Sequence, residues 1–173
     1  MKTVLITGGI GSGKSEVRKY LCSKGFPTYD CDSRCKALYD EVPGLKSRIE
    51  QTLGVPFSEI AVIFKNETAR KALESIVFPL LHSDIQKWKD SHAGERTGFI
   101  ESATATSHRI FDDCYDEVWL LEAPLRLRTI RNAKAAERAP LQSFAATEAD
   151  VMITNDGSIQ DLQDKIDNLI RKI

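Results

Sequence analysis

The chain has 173 residues, 42% of them hydrophobic and 28% charged, with 24 Lys plus Arg against 25 Asp plus Glu. That composition belongs to a folded globular chain and excludes disordered and fibrous classes, while the length suits one domain, or one core with a small added lobe. A net charge of −1 supplies no field for holding nucleic acid or an anionic membrane non-specifically, so neither is expected as a partner and any phosphate recognition has to be local.

Along the chain, Thr3 to Thr7 is a short apolar run rich in β-branched residues that ends in glycines, which reads as a strand. Lys14 to Lys24 follows as a helix, with Val17, Tyr20 and Leu21 at helical spacing and Gly25 as its stop. A second strand is expected around Pro27 to Asp30, and Asp32 or Ser33 is expected to cap a helix running through Leu38. Pro43 and Gly44 punctuate it. From Gly44 to Ser91 the chain reads as consecutive helices, with stops at Gly54 and Pro56 and a cap at Asn66.

Thr97 to Glu101 and Glu117 to Glu122 read as buried strands, the second through its unbroken Val118-Trp119-Leu120-Leu121 run. Pro124 opens a further helix. Asp150 to Thr154 is a strand, and Ser158 to Ile173 a terminal helix with Leu162, Ile166, Leu169, Ile170 and Ile173 on one face. Five strands interleaved with helices predict an α/β fold: a doubly wound, parallel five-stranded sheet with helices on both faces and a helical insertion at about 44–91, within one domain spanning 1–173.

Cys22, Cys31, Cys35 and Cys114 form no CxxC or Cys/His zinc pattern, so reduced thiols are expected. The amino-terminal MKTVLITGG lacks the apolar core and cleavage site of a signal peptide, and no apolar run approaches the roughly 20 residues that span a bilayer. A cytoplasmic monomer or small homo-oligomer is therefore expected. His82, His92 and His108 have no Ser or Cys partners that would make them catalytic, and Trp88 and Trp119 read as packing residues.

The most informative stretch is Gly8-Gly9-Ile10-Gly11-Ser12-Gly13-Lys14-Ser15, which matches G-x-x-x-x-G-K-[ST] directly after a strand and before a helix. Backbone N–H groups of such a loop wrap polyphosphate, and glycines keep side chains from blocking the approach. The following helix adds its partial positive charge. Lys14 can reach the β and γ phosphates, and the Ser15 hydroxyl is placed to ligate Mg²⁺. Gly9 to Ser15 are thus the expected nucleotide contacts, ATP and Mg²⁺ the expected ligands, and Lys14 a catalytic residue.

A phosphate loop alone is shared by kinases, GTPases and ATPases. No N-K-x-D occurs, and no D-x-x-G follows a strand, so GTPase signatures are lacking. Asp30 and Asp32 would sit at the carboxyl edge of the sheet, where open α/β folds bind ligands and where a carboxylate suits an acceptor hydroxyl. Arg128 and Arg131 carry forks that fit phosphate.

Thr7 to Ser15 together with Asp30-Cys31-Asp32 resemble the T-G-G-I-G-S-G-K-S and D-A-D elements of the dephospho-coenzyme A kinases. The similarity runs on through Ile63-Phe64-Lys65-Asn66, Leu73 to Leu80, Phe99 to Ala103, Ala123-Pro124 with Arg128 and Arg131, and Ala149 to Ser158. The resemblance implies a P-loop kinase fold and transfer of the γ-phosphoryl group of ATP to the ribose 3′-hydroxyl of dephospho-coenzyme A. By the same resemblance Asp32 accepts or orients the hydroxyl proton and Arg131 is a lid arginine. Asn155 and Gly157 then lie near the adenine, and the helical stretch from Gly44 to Ser91 receives the acceptor.

The chain departs from that pattern in three places. Phe78 replaces the histidine of H-P-L, and Ser107 stands where the family's last acidic residue falls after the third strand. The lid, about 132–147, is shortened, since only residues 125–148 separate Ala123-Pro124 from Ala149-Asp150. The second lid arginine then falls near Lys134 or Ala135, leaving Lys134 or Arg138 to replace it. A lid arginine stabilises transition-state charge, so such losses affect turnover more than nucleotide binding. Another small-molecule or nucleotide kinase, or a non-catalytic nucleotide-binding relative, therefore stands beside the main reading.

Overall fold

In the computed structural model, which describes residues 1–138 and 149–173, the first apolar run forms β1 (Lys2–Gly8). With β2 (Thr28–Asp30), β3 (Thr97–Glu101), β4 (Glu117–Glu122) and β5 (Val151–Thr154) it makes one parallel sheet in the order β2-β3-β1-β4-β5. The chain leaves β1 for the β2 edge, returns to β3, and then crosses to β4 on the other side of β1. That reversal puts a ligand crevice at the carboxyl end of β1. The helices are α1 (Lys14–Ser23), α2 (Cys31–Glu41), α3 (Leu45–Leu53), α4 (Glu67–Ser91), α5 (Leu125–Arg131), α6 (Ala135–Arg138) and α7 (Ile159–Ile170).

The chain divides into two compact units, Met1–Asp30 with Trp88–Ile173, and Cys31–Lys87. In the first, Val4 and Ile6 of β1 share a buried cluster with Phe99, Trp119, Leu121 and Ile153 of the neighbouring strands, Val17 and Leu21 of α1, and Leu162 and Ile166 of α7. Leu5, Ile100 and Leu120 are equally buried. Successive strand residues face opposite ways, so both faces of the sheet are covered, as the continuous apolar runs predict for parallel strands.

The second unit has its own core of Leu45 and Ile49 from α3, Ile63 from a 3₁₀ segment (Phe57–Lys65), and Leu73, Ile76 and Val77 from α4. Much of the helical stretch expected at 44–91 lies here, together with α2. Asn66 caps α4 by accepting from the Ala69 N–H at 3.0 Å, and Gly54 ends α3 with a left-handed φ of 68°. Arg34 forks onto both oxygens of Asp84 and both of Glu41, contacts that hold its guanidinium charge firmly. Burial and then the nearby Asp32 carboxylate push the Cys35 thiol up to about 12, so it stays protonated.

One expected boundary is corrected. Helix α2 begins at Cys31, directly after the last residue of β2, so neither Asp32 nor Ser33 is its cap. Asp30 is still paired with Glu101 in the ladder, and the chain turns into the helix without a spacer. Asp32 therefore lies in the first turn, where a negative charge complements the helix dipole. Part of the lid expected at 132–147 is α6; its residues 139–147 lie outside the described residues.

Candidate active site

The register of the sheet sets the floor of the site. Ile6 of β1 pairs with Glu101 of β3, and Glu101 pairs in turn with Asp30 of β2, so two carboxylates lie side by side at the carboxyl edge. On the other side Gly8 pairs with Leu121 of β4. The phosphate loop leaves β1 at this edge and feeds straight into α1, whose N-cap is Gly13 at φ 108°. Gly13 has no side chain to cap that helix start, which leaves N–H groups there for an anion.

The loop's glycines clear space for the protein's own side chains. A Cβ on Gly9 would lie 2.1 Å from Arg128 Nη2, and one on Gly13 would lie 2.3 Å from Asn155 Nδ2. Arg128 donates through Nε to the Ile10 carbonyl at 2.9 Å. Arg131 donates through Nη1 to the Asn155 carbonyl at 3.3 Å and to the Gly11 carbonyl at 3.5 Å. The buried Asn155 amide donates to the Ser12 carbonyl at 2.8 Å and accepts from Arg131 Nη2 at 3.5 Å. Gly157 packs against Asp161 at the start of α7, where Ser158 and Asp161 cap each other reciprocally.

Lys14 Nζ donates to the Gly8 and Gly9 carbonyls at 2.8 and 3.3 Å, which holds its charge over the loop. The Ser15 hydroxyl donates to Glu101 Oε1 at 2.7 Å. Arg18, one turn further along α1, donates through Nε to Glu101 Oε2 at 2.8 Å and reaches Asp30 Oδ2 through Nη2 at 3.1 Å. The donor set at Ser15 and Glu101 is all oxygen, which fits a hard cation such as Mg²⁺.

A cleft of about 370 Å³ opens beside the loop, lined by Gly9, Ser12, Arg128 and Thr154 with Leu120 to Pro124. Ser12 Oγ and Arg128 Nη2 are buried there without hydrogen-bond partners among the described residues. Buried polar atoms are rarely left unpaired, so this end of the cleft suits a polar ligand.

Lys14, Ser15, Arg131 and Asn155, singled out from sequence, thus come together around the loop. Asp32 is exposed on the first turn of α2 in the helical unit, two residues beyond Asp30. Lys134 is exposed, with its N–H on Asn132 Oδ1, and Ser107 lies in a short 3₁₀ turn (Ala105–Ser107). Phe78 is half-buried in α4. Sequence reasoning gave Glu101 and Arg18 no role. The available signal was an acidic residue ending a short strand that reads as buried, at the carboxyl edge beside the phosphate loop.

No family model matches the sequence. Among curated proteins, the dephospho-CoA kinase of Porphyromonas gingivalis is 33% identical over 140 residues, covering 76% of this chain and 68% of the relative. That of Neisseria gonorrhoeae is 29% identical over 181 residues, covering 92% and 86%. Among solved structures, one from Thermus thermophilus superposes with a TM-score of 0.79 at 24% identity, covering 99% of this chain and 97% of that one. Dephospho-CoA kinase from Campylobacter jejuni gives 0.68 at 18% identity over the same shares. Shikimate kinase from Acinetobacter baumannii gives 0.54 at 18% identity, covering 99% and 94%, so the fold is common to kinases of different acceptors.

Proposed function

The chain belongs to the dephospho-coenzyme A kinase family, and on that premise we propose that it transfers the γ-phosphoryl group of ATP to the ribose 3′-hydroxyl of dephospho-coenzyme A. The observation that carries this is the joining of a complete phosphate loop to the Ser15–Glu101 pair at the switch point of the sheet. Ser15 and Glu101 would hold Mg²⁺, which when bound neutralises charge on the phosphate oxygens.

Phosphoryl transfer has a loose transition state that asks mainly for positioning and charge stabilisation. The loop's N–H groups and the start of α1 seat the polyphosphate. Lys14 exchanges its carbonyl partners for phosphate oxygens and follows the charge that develops there. Arg131, held between Gly11 and Asn155, stands next to the same loop and contributes a second cation. Asn155 and Gly157 border the nucleotide. Asp32, an exposed carboxylate two residues past the end of β2, accepts or orients the proton of the attacking hydroxyl. The helical stretch at 44–91 receives the acceptor, and the cytoplasm is where ATP and reduced cysteines are found together. Phe78, apolar where the family pattern carries histidine, favours a different small-molecule acceptor as the second reading.

Two variants test the assignment of roles. Lys14→Ala should weaken ATP binding and abolish turnover, whereas Asp32→Asn should bind ATP within about threefold of wild type and lose roughly a hundredfold or more in kcat. Near wild-type turnover in Asp32→Asn would remove Asp32 from the mechanism.

A further inference from the structure

Arg18 is not accounted for by phosphate binding. It lies on α1 three residues after Ser15, so its guanidinium and the Ser15 hydroxyl approach Glu101 from the same helix face. Each oxygen of that carboxylate has its own donor: Oε1 takes the Ser15 hydroxyl at 2.7 Å, and Oε2 takes Arg18 Nε at 2.8 Å. The other arm of the fork reaches Asp30 Oδ2 at 3.1 Å. Asp30 and Glu101 are cross-strand partners, so Arg18 bridges two like charges in register at the sheet edge. All three side chains are largely withdrawn from water, with 21% of Arg18, 23% of Asp30 and 10% of Glu101 exposed, so solvent screens their interaction weakly.

We infer that Arg18 is the standing counter-cation of the magnesium seat, holding Glu101 and Asp30 neutralised so that divalent metal is captured only together with polyphosphate. This rests on the reading of Ser15 and Glu101 as that seat. The Arg18 charge, bonded to both carboxylates, offsets their negative charge and weakens the pull of the site on a free cation. ATP supplies the missing negative charge, and its phosphates draw Lys14 from the Gly8 and Gly9 carbonyls. Arg18 also fixes the rotation of Glu101, keeping Oε1 on the Ser15 side, so the carboxylate is oriented before metal arrives. It acts through Glu101 and is a positioning residue. If Arg18 only stitched α1 to the sheet, its removal would lower stability and leave metal affinity unchanged or poorer. As a counter-cation, its removal raises metal affinity, the opposite direction.

The test is binding of Mn²⁺ alone to the nucleotide-free full chain, followed by the electron paramagnetic resonance signal of unbound Mn²⁺. Arg18→Gln keeps a donor for Glu101 and drops the charge, and should bind Mn²⁺ about tenfold more tightly than wild type. Arg18→Lys keeps the charge and should stay within about threefold of wild type. Unchanged or weaker Mn²⁺ binding by Arg18→Gln overturns the inference. Should that variant not fold, Asp30→Asn serves instead: it removes the second carboxylate that shares the Arg18 charge, leaving that charge to Glu101 alone, and should weaken Mn²⁺ binding severalfold, and unchanged or tighter binding overturns the inference equally. Glu101→Gln, measured with Mn²⁺ and a non-hydrolysable ATP analogue, separates the two levels. It weakens Mn²⁺ binding if the seat is correctly placed, whatever Arg18 does, and unchanged binding there overturns the seat and the inference together.

Discussion

Ser15 donates its hydroxyl to Glu101 at 2.7 Å, tying the first turn of α1 to the last residue of β3 across 86 positions of sequence. The bond keeps the serine oxygen at the carboxyl edge of the sheet, beside the phosphate loop. Ser15→Ala should therefore lower kcat by about ten- to a hundredfold while ATP binding in the absence of metal changes little. Steady-state kinetics beside calorimetry without Mg²⁺ would show the split, and an equal loss in both would contradict it.

Asn155 donates to the Ser12 carbonyl at 2.8 Å from beneath the loop. Because the Ser12–Gly13 peptide is planar and trans, holding its carbonyl toward Asn155 points the Gly13 N–H away from Asn155. Asn155→Ala releases that plane and should weaken ATP binding about tenfold, with the acceptor KM little changed. Asn155→Asp, which offers no donor when ionised, should behave as poorly at neutral pH and recover in part as the pH falls and the new carboxyl gains a proton.

The strands and the phosphate loop were legible because each carries its own signal: β-branched runs bounded by glycines, then a glycine-rich turn with Lys14 and Ser15 opening a helix. The bounds of β3 and β4 match the sequence reading to the residue, β4 through the unbroken apolar run that a buried parallel strand favours. Glu101 was not legible as a member of the site. What makes it one is the strand order, which sets β3 beside β1 although nearly ninety residues separate them, and sequence periodicity does not encode which strand pairs with which. The same holds for Arg18, whose helical position is plain but whose two carboxylate partners come from two other strands. The start of α2 was misplaced because Asp32 and Ser33 are good caps by type, while the ladder pairing of Asp30 decides where the turn occurs.

Hydrogen bonds from the Ser158 hydroxyl and N–H hold the Asp161 carboxylate below its ordinary pKa. A depressed folded-state value means that the contribution is present above the unfolded value and is lost as the pH falls through the folded one. Asp161→Asn should accordingly flatten the decline of thermal stability on acidification through the carboxylate range, while Ser158→Ala should lower Tm at neutral pH. An unchanged acid limb in Asp161→Asn would contradict the assignment.

Ile166 is fully buried on α7 in the cluster that includes Val17 and Leu21 of α1 and Trp119 of β4. Ile166→Ala should cost about 2–5 kcal/mol in denaturant unfolding, from lost burial and the cavity left behind. A cost below about 1 kcal/mol would mean that α7 does not close this face of the sheet.

Phosphoryl transfer to dephospho-coenzyme A is tested most directly by ADP release from Mg-ATP in the presence of dephospho-coenzyme A, adenosine or no acceptor, with the product's mass and phosphorylation position determined. Dephospho-coenzyme A should accelerate ADP release well beyond the other two conditions and gain one phosphoryl group at its ribose 3′-hydroxyl. ADP release unaffected by dephospho-coenzyme A, from protein that binds Mg-ATP, would contradict it.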